Sequence, residues 1–289
     1  MEHRTDHRGE HPANTAQAEA WNGYEGSHWA RNQHRWDAVN DGFNEPLLDA
    51  AALAPGHRVL DIGCGAGRTA RLAARRVGPA GRVLGLDLSG PMLERARELA
   101  RGEGVANVAF AQGDAQVHPL PPGTFDRAVS RYGVMFFGGP LAAFGHLGGA
   151  LRPGGRLAFV CAAGPEGNEW LDAFAALRGV LPTGGFGTPG GPGMFSLADP
   201  DATTALLAAA GFEDIAVRPV RAYGDWGRTA EDAAAFLLDS GPGRHLLADA
   251  GPETATEALA RLTAALRPHE RDGAVRLLST SWLTTATRH

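Results

Sequence analysis

The chain has 289 residues, a formal charge of −5 at neutral pH and 44% hydrophobic residues, enough for one α/β domain with insertions around a sizeable core. Its acidic and basic residues are interspersed, which argues against a nucleic-acid partner held by a basic stripe. No run approaches the roughly 20 apolar residues that span a bilayer.

Residues 1–17 are polar, rich in His and Arg, and read as a mobile tail without an apolar signal-peptide core, so a cytoplasmic protein is expected. Residues 18–56 read as an N-terminal helical arm, with helix starting at about Thr15, running to Leu53 and carrying Trp21, Trp29 and Trp36. Gly23 and Gly26 interrupt the stretch WNGYEGSHW, and glycine hinges beside large amphipathic rings suit a lid. Trp36 is expected to pack against the sheet domain instead.

Residues 57–162 alternate between strand and helix. Val59 to Ile62 form a short buried strand, and Gly63, Gly65 and Gly67 make a turn before Arg68 opens a helix. Arg82 to Leu86 form a second strand that delivers Asp87, where an acidic side chain can accept both ribose hydroxyls. Ser89 caps a helix beginning at Pro91. Asn107 to Ala111 form a third strand followed by Gly113 and Asp114, Phe125 to Ser130 a fourth, and Leu151 to Val160 a helix end, a proline-glycine turn and a fifth strand. Such a βαβ rhythm builds a parallel, doubly wound sheet whose ligand crevice lies at the strand ends beside the first strand. Cys64 and Cys161, near the ends of the first and fifth strands, should stand about 9 to 10 Å apart, beyond disulfide reach. No cysteine or histidine spacing proposes a metal site.

Residues 163–289 form the C-terminal part of a single catalytic domain. A short helix at about Glu169 to Leu177 precedes a glycine- and proline-rich passage from Gly184 to Gly193, long enough for an active-site loop. Asp199 or Asp201 caps the next helix, Gly211 stops it, and Ile215 to Val220 form a strand. Two amphipathic helices, Thr229 to Leu238 and Glu253 to Leu266, come before a threonine-rich last strand from Ser279 to Thr287.

The glycine spacing separates two nucleotide chemistries. Dinucleotide enzymes use G-x-G-x-x-G, whereas here D-x-G-x-G-x-G places Arg68 where the third glycine would sit, which disfavours a nicotinamide oxidoreductase. VLDIGCGAG, Asp87, FAQGDAQ, FDRAVSRYGVMFF and LRPGGRLAFV, in this order over residues 58 to 161, resemble the motifs of the class I S-adenosylmethionine-dependent methyltransferases. The resemblance implies a Rossmann-like seven-stranded sheet with an antiparallel last strand, and a helical insertion roofing the acceptor pocket. It implies S-adenosylmethionine as cofactor, with Asp61, Gly63 and Gly65 at its methionine portion and Asp87 at the ribose. It places Gly113 and Asp114 at the adenine, sandwiched by Leu88, Met92 and Ala115, and Ser130 towards the methionine end. Trp29 and Gln33 would reach the cofactor from the arm. The chain departs from related sequences after the fifth strand, where CAAGPEGNEW brings no immediate tryptophan.

The cofactor carries the activation, so the protein supplies alignment, exclusion of water and in some cases a base. His28, His34 and Tyr132 are the candidate catalytic residues, because their segments border the expected methyl position and histidine titrates near neutrality; Tyr24 borders it too. His146 reads as a satisfied core-edge histidine. The implied reaction is methyl transfer to a small apolar or aromatic metabolite at O, N or C. The alternative is an S-adenosylmethionine-binding enzyme that catalyses a cyclisation or rearrangement.

Overall fold

The computed structural model describes residues 14–183 and 193–289. Most of the expected tail, and residues 184–192 of the glycine-proline passage, lie outside them. Thr15 to Gln17 belong to a helix rather than to a tail, because Asn14 is tied down: its side chain donates to the Phe136 carbonyl at 2.7 Å and its N–H to Asp114 at 3.2 Å.

The arm is four short helices, α1 (Thr15–Asn22), α2 (Tyr24–Arg31), α3 (Gln33–Asn40) and α4 (Asn44–Ala50). Gly23 separates the first two, as expected, but Gly26 does not break the chain. It lies inside α2 where a Cβ would fall 2.4 Å from Ser89 Oγ and 1.8 Å from the Trp21 carbonyl, so its role is close approach. The alternation then follows: β1 (Arg58–Ile62), α5 (Arg68–Val77), β2 (Arg82–Asp87), α6 (Gly90–Gly102), β3 (Val108–Gln112), β4 (Phe125–Arg131), α7 (Pro140–Ala150) and β5 (Leu151–Ala162). The C-terminal part comprises α8 (Glu169–Ala175), α9 (Pro200–Ala209), β6 (Phe212–Gly227), α10 (Ala230–Asp239), α11 (Gly241–Leu247), α12 (Pro252–Leu266), β7 (Glu270–Arg271) and β8 (Ala274–Arg288).

The sheet order is β3-β2-β1-β4-β5-β8-β6, with the short β7 paired to β8 beside this seven-strand path. β1 to β5 pair in parallel, and β8 inserts antiparallel between β5 and β6. The chain reverses its direction of winding at β1, flanked by β2 and β4, which leaves the crevice at its carboxyl end. One sheet face packs Phe144, Leu147 and Phe159 against Leu207 and Phe212; the other packs Leu47, Leu48 and Val77 over Val59 and Val83.

β6 is far longer than the six residues its apolar pattern suggests. It is the sheet edge, half of its side chains are exposed, and hydrogen bonding to β8 as far as Gly227 sustains it without an alternating signal. This β6–β8 ribbon carries three helices rather than two. The extra one, α11, begins at a Gly-Pro-Gly run that reads as a turn but is capped by Ser240. These helices bury Phe236, Leu237, Leu262 and Leu266 against Trp36 and Trp226, joining insertion and arm in one core. No helix among the described residues is long and apolar enough to cross a membrane.

Candidate active site

At the end of β1 the backbone bends through Gly63, Gly65 and Gly67, all with positive φ (64°, 54° and 74°), a region costly for side-chain-bearing residues. Space demands glycine as well. A Cβ at Gly63 would lie 2.7 Å from Gly133 Cα, and one at Gly65 2.7 Å from Met92 Cε. Arg68 points away to Asp41, with Nε and Nη2 at 3.1 and 3.0 Å from Oδ1.

The loop opens on a cavity of about 480 Å³ enclosed by the strand ends, the arm and the β6–β8 insertion. Gly63, Gly65, Asp87, Leu88, Met92, Gly113, Asp114, Ala115, Trp29, Gln33 and Tyr132 all stand on its wall, so the structure brings together most of the residues expected there. Asp87 accepts the Gly65 N–H at 2.7 Å and the Ser89 N–H at 2.8 Å, coupling the loop to the end of β2. Burial raises its pKa while these backbone donors oppose the rise. Asp114 accepts from both nitrogens of Gln116 and from Asn14, so it also anchors the start of the arm.

Asp61 sits behind this wall rather than on it, 1% exposed, and neither carboxyl oxygen has a closely aligned hydrogen-bond partner, the Ala70 N–H being the one donor that acts on it. Burial, opposed by Arg131 and the Ala70 N–H and helped by the charge of Asp87, pushes its pKa up to about 7. A buried carboxylate so poorly supplied with donors is costly. Such a carboxylate one residue behind the cavity-lining Ile62 and Gly63 fits an incoming ammonium, and the glycine cradle fits a ligand approached by backbone. The residues present therefore fit S-adenosylmethionine, whose amino group would satisfy Asp61.

Three further expected site residues lie off the wall. Ser130 is fully buried, donating to the Ile62 carbonyl at 2.7 Å and accepting the Gly133 N–H at 3.2 Å; it pins the turn after β4 beneath the glycine loop and is off the wall. His34 is exposed on α3 and off the wall. His28 is fully buried off the wall, its ring stacked between Tyr24 and Phe236 with Nδ1 3.2 Å from Asp239 Oδ2. Burial lowers its pKa, and its position makes it a joint between arm and insertion, since Tyr24 also donates to Asp239 at 2.9 Å. His146 contacts the His118 carbonyl at 2.8 Å through Nε2, as a core-edge histidine would.

Tyr132 does reach the cavity, from a left-handed backbone (φ 64°) unusual for a bulky residue. Its hydroxyl shares a 2.8 Å hydrogen bond with Ser281, and burial raises its pKa, so it stays protonated and serves as a hydrogen-bonding group. Arg131 is held by the Asn40 carbonyl and Asp37, and Gln33 donates to Asp37. Glu25, which the sequence reading did not single out, also lines the wall; burial raises its pKa, and its carboxylate abuts Gly241.

The largest addition is aromatic. Trp21, Trp29, Trp36, Trp226 and Trp170 all line the cavity in a continuous chain of ring contacts. Successive centroids are 5.9, 4.0, 6.2 and 6.1 Å apart. Trp170 ends the CAAGPEGNEW stretch and supplies the wall aromatic from one helix further on. Trp36 does not pack against the body of the sheet as expected: it lies in the core shared with the insertion helices, beside Phe236 and Leu237, and reaches the cavity too.

Residues 59–155 match the family profile of a methyltransferase domain. The chain is similar to the nocamycin O-methyltransferase of Saccharothrix syringae, 31% identical over 62% of this chain and 69% of that protein. It is also similar to the aklanonic acid methyltransferase DauC of Streptomyces sp. (strain C5), 37% identical over 39% of this chain and 51% of that protein. The chain spans about half the length of most curated relatives it matches. Its fold matches the crystal structure of the YcgJ protein from Bacillus subtilis with a TM-score of 0.56 at 21% identity, over 85% of this chain and 97% of that one.

Proposed function

The chain belongs to the class I S-adenosylmethionine-dependent methyltransferases, and from that premise we propose that it methylates a small apolar or aromatic metabolite at oxygen, nitrogen or carbon. The observation that carries this reading is one cavity whose wall combines the glycine loop with five tryptophans. The two similar enzymes, named for nocamycin and aklanonic acid, support a small-molecule acceptor, and the first supports oxygen as the target.

Bound S-adenosylmethionine supplies a methyl group on a positively charged sulfur, already activated for in-line displacement. Asp61 would hold its amino group, Asp87 the ribose hydroxyls and Asp114 the adenine amino group, while Leu88, Met92 and Ala115 sandwich the ring. Arm and insertion close over the site and exclude water, joined through Tyr24, His28 and Asp239. Alignment of this kind contributes roughly 7 to 11 kcal/mol, so the absence of histidine from the described wall is no obstacle. Tyr132, protonated, can donate its one hydroxyl hydrogen to an acceptor oxygen or nitrogen when Ser281 is the donor in their shared hydrogen bond.

The test is a labelled-methyl assay against a panel of small phenols, enols, amines and carbon acids, with S-adenosylhomocysteine measured in parallel. Methylated product and S-adenosylhomocysteine should form in equal amounts. Acceptor conversion with the cofactor recovered intact would instead establish a cyclisation or rearrangement.

A further inference from the structure

We propose that the acceptor is a planar, conjugated, non-anionic molecule bearing a hydrogen-bond-accepting oxygen, seated among the cavity tryptophans and held by the indole N–H groups of Trp36 and Trp226. This rests on the methyl-transfer reading of the site. It goes further by assigning the class of acceptor and the two donors that select it.

The first observation is shape. Trp29 and Trp36 stack at 4.0 Å with their planes 4° apart, and Trp170 and Trp226 stack at 23°; the two pairs meet at Trp36 and Trp226, whose planes cross at 76°. Flat faces at two orientations offer stacking and edge-to-face contacts to another flat ring. Phe174 and Leu237 extend the same wall.

The second observation is independent of the first. Trp36 and Trp226 are 9% and 5% exposed, and the Nε1 atoms of both are buried without a hydrogen-bond partner among the described residues. Buried donors are almost always satisfied, and one left unsatisfied costs about 1 to 3 kcal/mol. Here two fall on neighbouring, cavity-lining side chains. Indole N–H is a donor only, so the complement is a lone pair on the acceptor molecule. Neither nitrogen touches solvent in this arrangement, so an acceptor reaches it only as a neighbouring ring tilts aside.

Charge narrows the class. Arg68 and Arg131, the arginines on the wall, are engaged by Asp41 and Asp37. Glu25 stands on the wall with no hydrogen bond or ion pair among the described contacts, its carboxylate against Gly241. Arg244, the cation whose charge acts on Glu25, lies over the Tyr24 ring and pairs with Asp239. A carboxylate-bearing acceptor would therefore meet negative charge without a free cation to balance it. A ketone, quinone or phenol oxygen on a fused ring system meets the donors without that repulsion.

The test uses 9-fluorenone and fluorene, flat molecules of nearly equal size that differ by a carbonyl in place of a methylene. Equilibrium dialysis of each at micromolar concentration, against protein saturated with S-adenosylhomocysteine, should show fluorenone binding at least tenfold more tightly. In Trp36→Phe or Trp226→Phe, each checked for folding by S-adenosylhomocysteine titration, that preference should fall below threefold in at least one variant, which then identifies the donor. 9-Fluorenone-4-carboxylate should bind at least tenfold more weakly than fluorenone to the unmodified protein. Equal binding of fluorenone and fluorene, no binding of either, tight binding of the carboxylate, or a preference that survives both substitutions would each overturn the proposal. Failure of the methyltransferase reading is separate, because it would appear first as no binding of S-adenosylhomocysteine.

Discussion

Asp61 concentrates the electrostatic cost of this site in one side chain. Its folded-state pKa, about 7, lies above the 3.8 of an ordinary aspartate because burial disfavours the carboxylate by more than Arg131 and the Ala70 N–H favour it. The folded protein then holds a proton that the unfolded chain releases between those values. The stability this confers is fully present below about pH 4 and is lost as pH rises through about 7, a change on the order of 4 kcal/mol. Cofactor-free protein should therefore lose stability relative to Asp61→Asn as pH is raised, measured by urea unfolding at pH 4, 5.5 and 8; a difference independent of pH would show that Asp61 is hydrated or paired. At this scale the sequence was legible where backbone geometry constrains it. Three glycines with positive φ and the acidic residue closing β2 are local requirements. The histidines misled because titratability says nothing of direction: His28 turns into the joint between arm and insertion, and His34 turns to solvent.

Helix α2 shows what an element owes to its neighbours. Its glycines look alike in sequence, yet Gly23 separates two helices while Gly26 lets α2 lie against Ser89 at the start of α6. Gly26→Ala should thus force α2 off that contact and destabilise by about 1 to 3 kcal/mol. Gly145→Ala is the control: this glycine sits within α7, a Cβ there meets nothing within 4 Å, and the change should stabilise by roughly 0.5 to 1 kcal/mol through helix propensity. Urea unfolding of both variants checks the pair, and equal responses would mean that α2 is not docked as described. Elements with strong local signals were legible to within a few residues: the capped helices α6, α9 and α10 and the strands of the parallel sheet. Edge strand β6 was truncated in the sequence reading because a ladder of backbone hydrogen bonds leaves no periodic mark on exposed side chains. Helix α11 was missed because its Gly-Pro-Gly start imitates a turn.

For the whole molecule, the cavity exists only where three parts meet: the strand ends, the arm at the N-terminus and the insertion carried by β6 and β8. A ligand that bridges them stabilises the fold by mass action, by about 2.7 kcal/mol at 100 times its dissociation constant. S-adenosylmethionine and S-adenosylhomocysteine should each raise Tm in thermal-shift measurements, whereas NAD and NADP should not; equal stabilisation by NAD would contradict the cofactor assignment. The glycine loop, Asp87 at the end of β2 and the strands of the parallel sheet were determined by the sequence itself, because each depends on residues close together in the chain or on a pattern with a fixed period; the antiparallel last strand came only through the resemblance, since its pairing with β5 and β6 joins segments far apart in the chain. The aromatic part of the cavity wall was decided by tertiary structure. Its tryptophans lie at 21, 29, 36, 170 and 226, and nothing local marks them as neighbours until the β6–β8 ribbon brings the insertion over the arm. The unpaired indole donors and the poorly supplied Asp61 carboxyl are likewise tertiary facts, since whether a polar atom has a partner is settled only when every neighbour is in place.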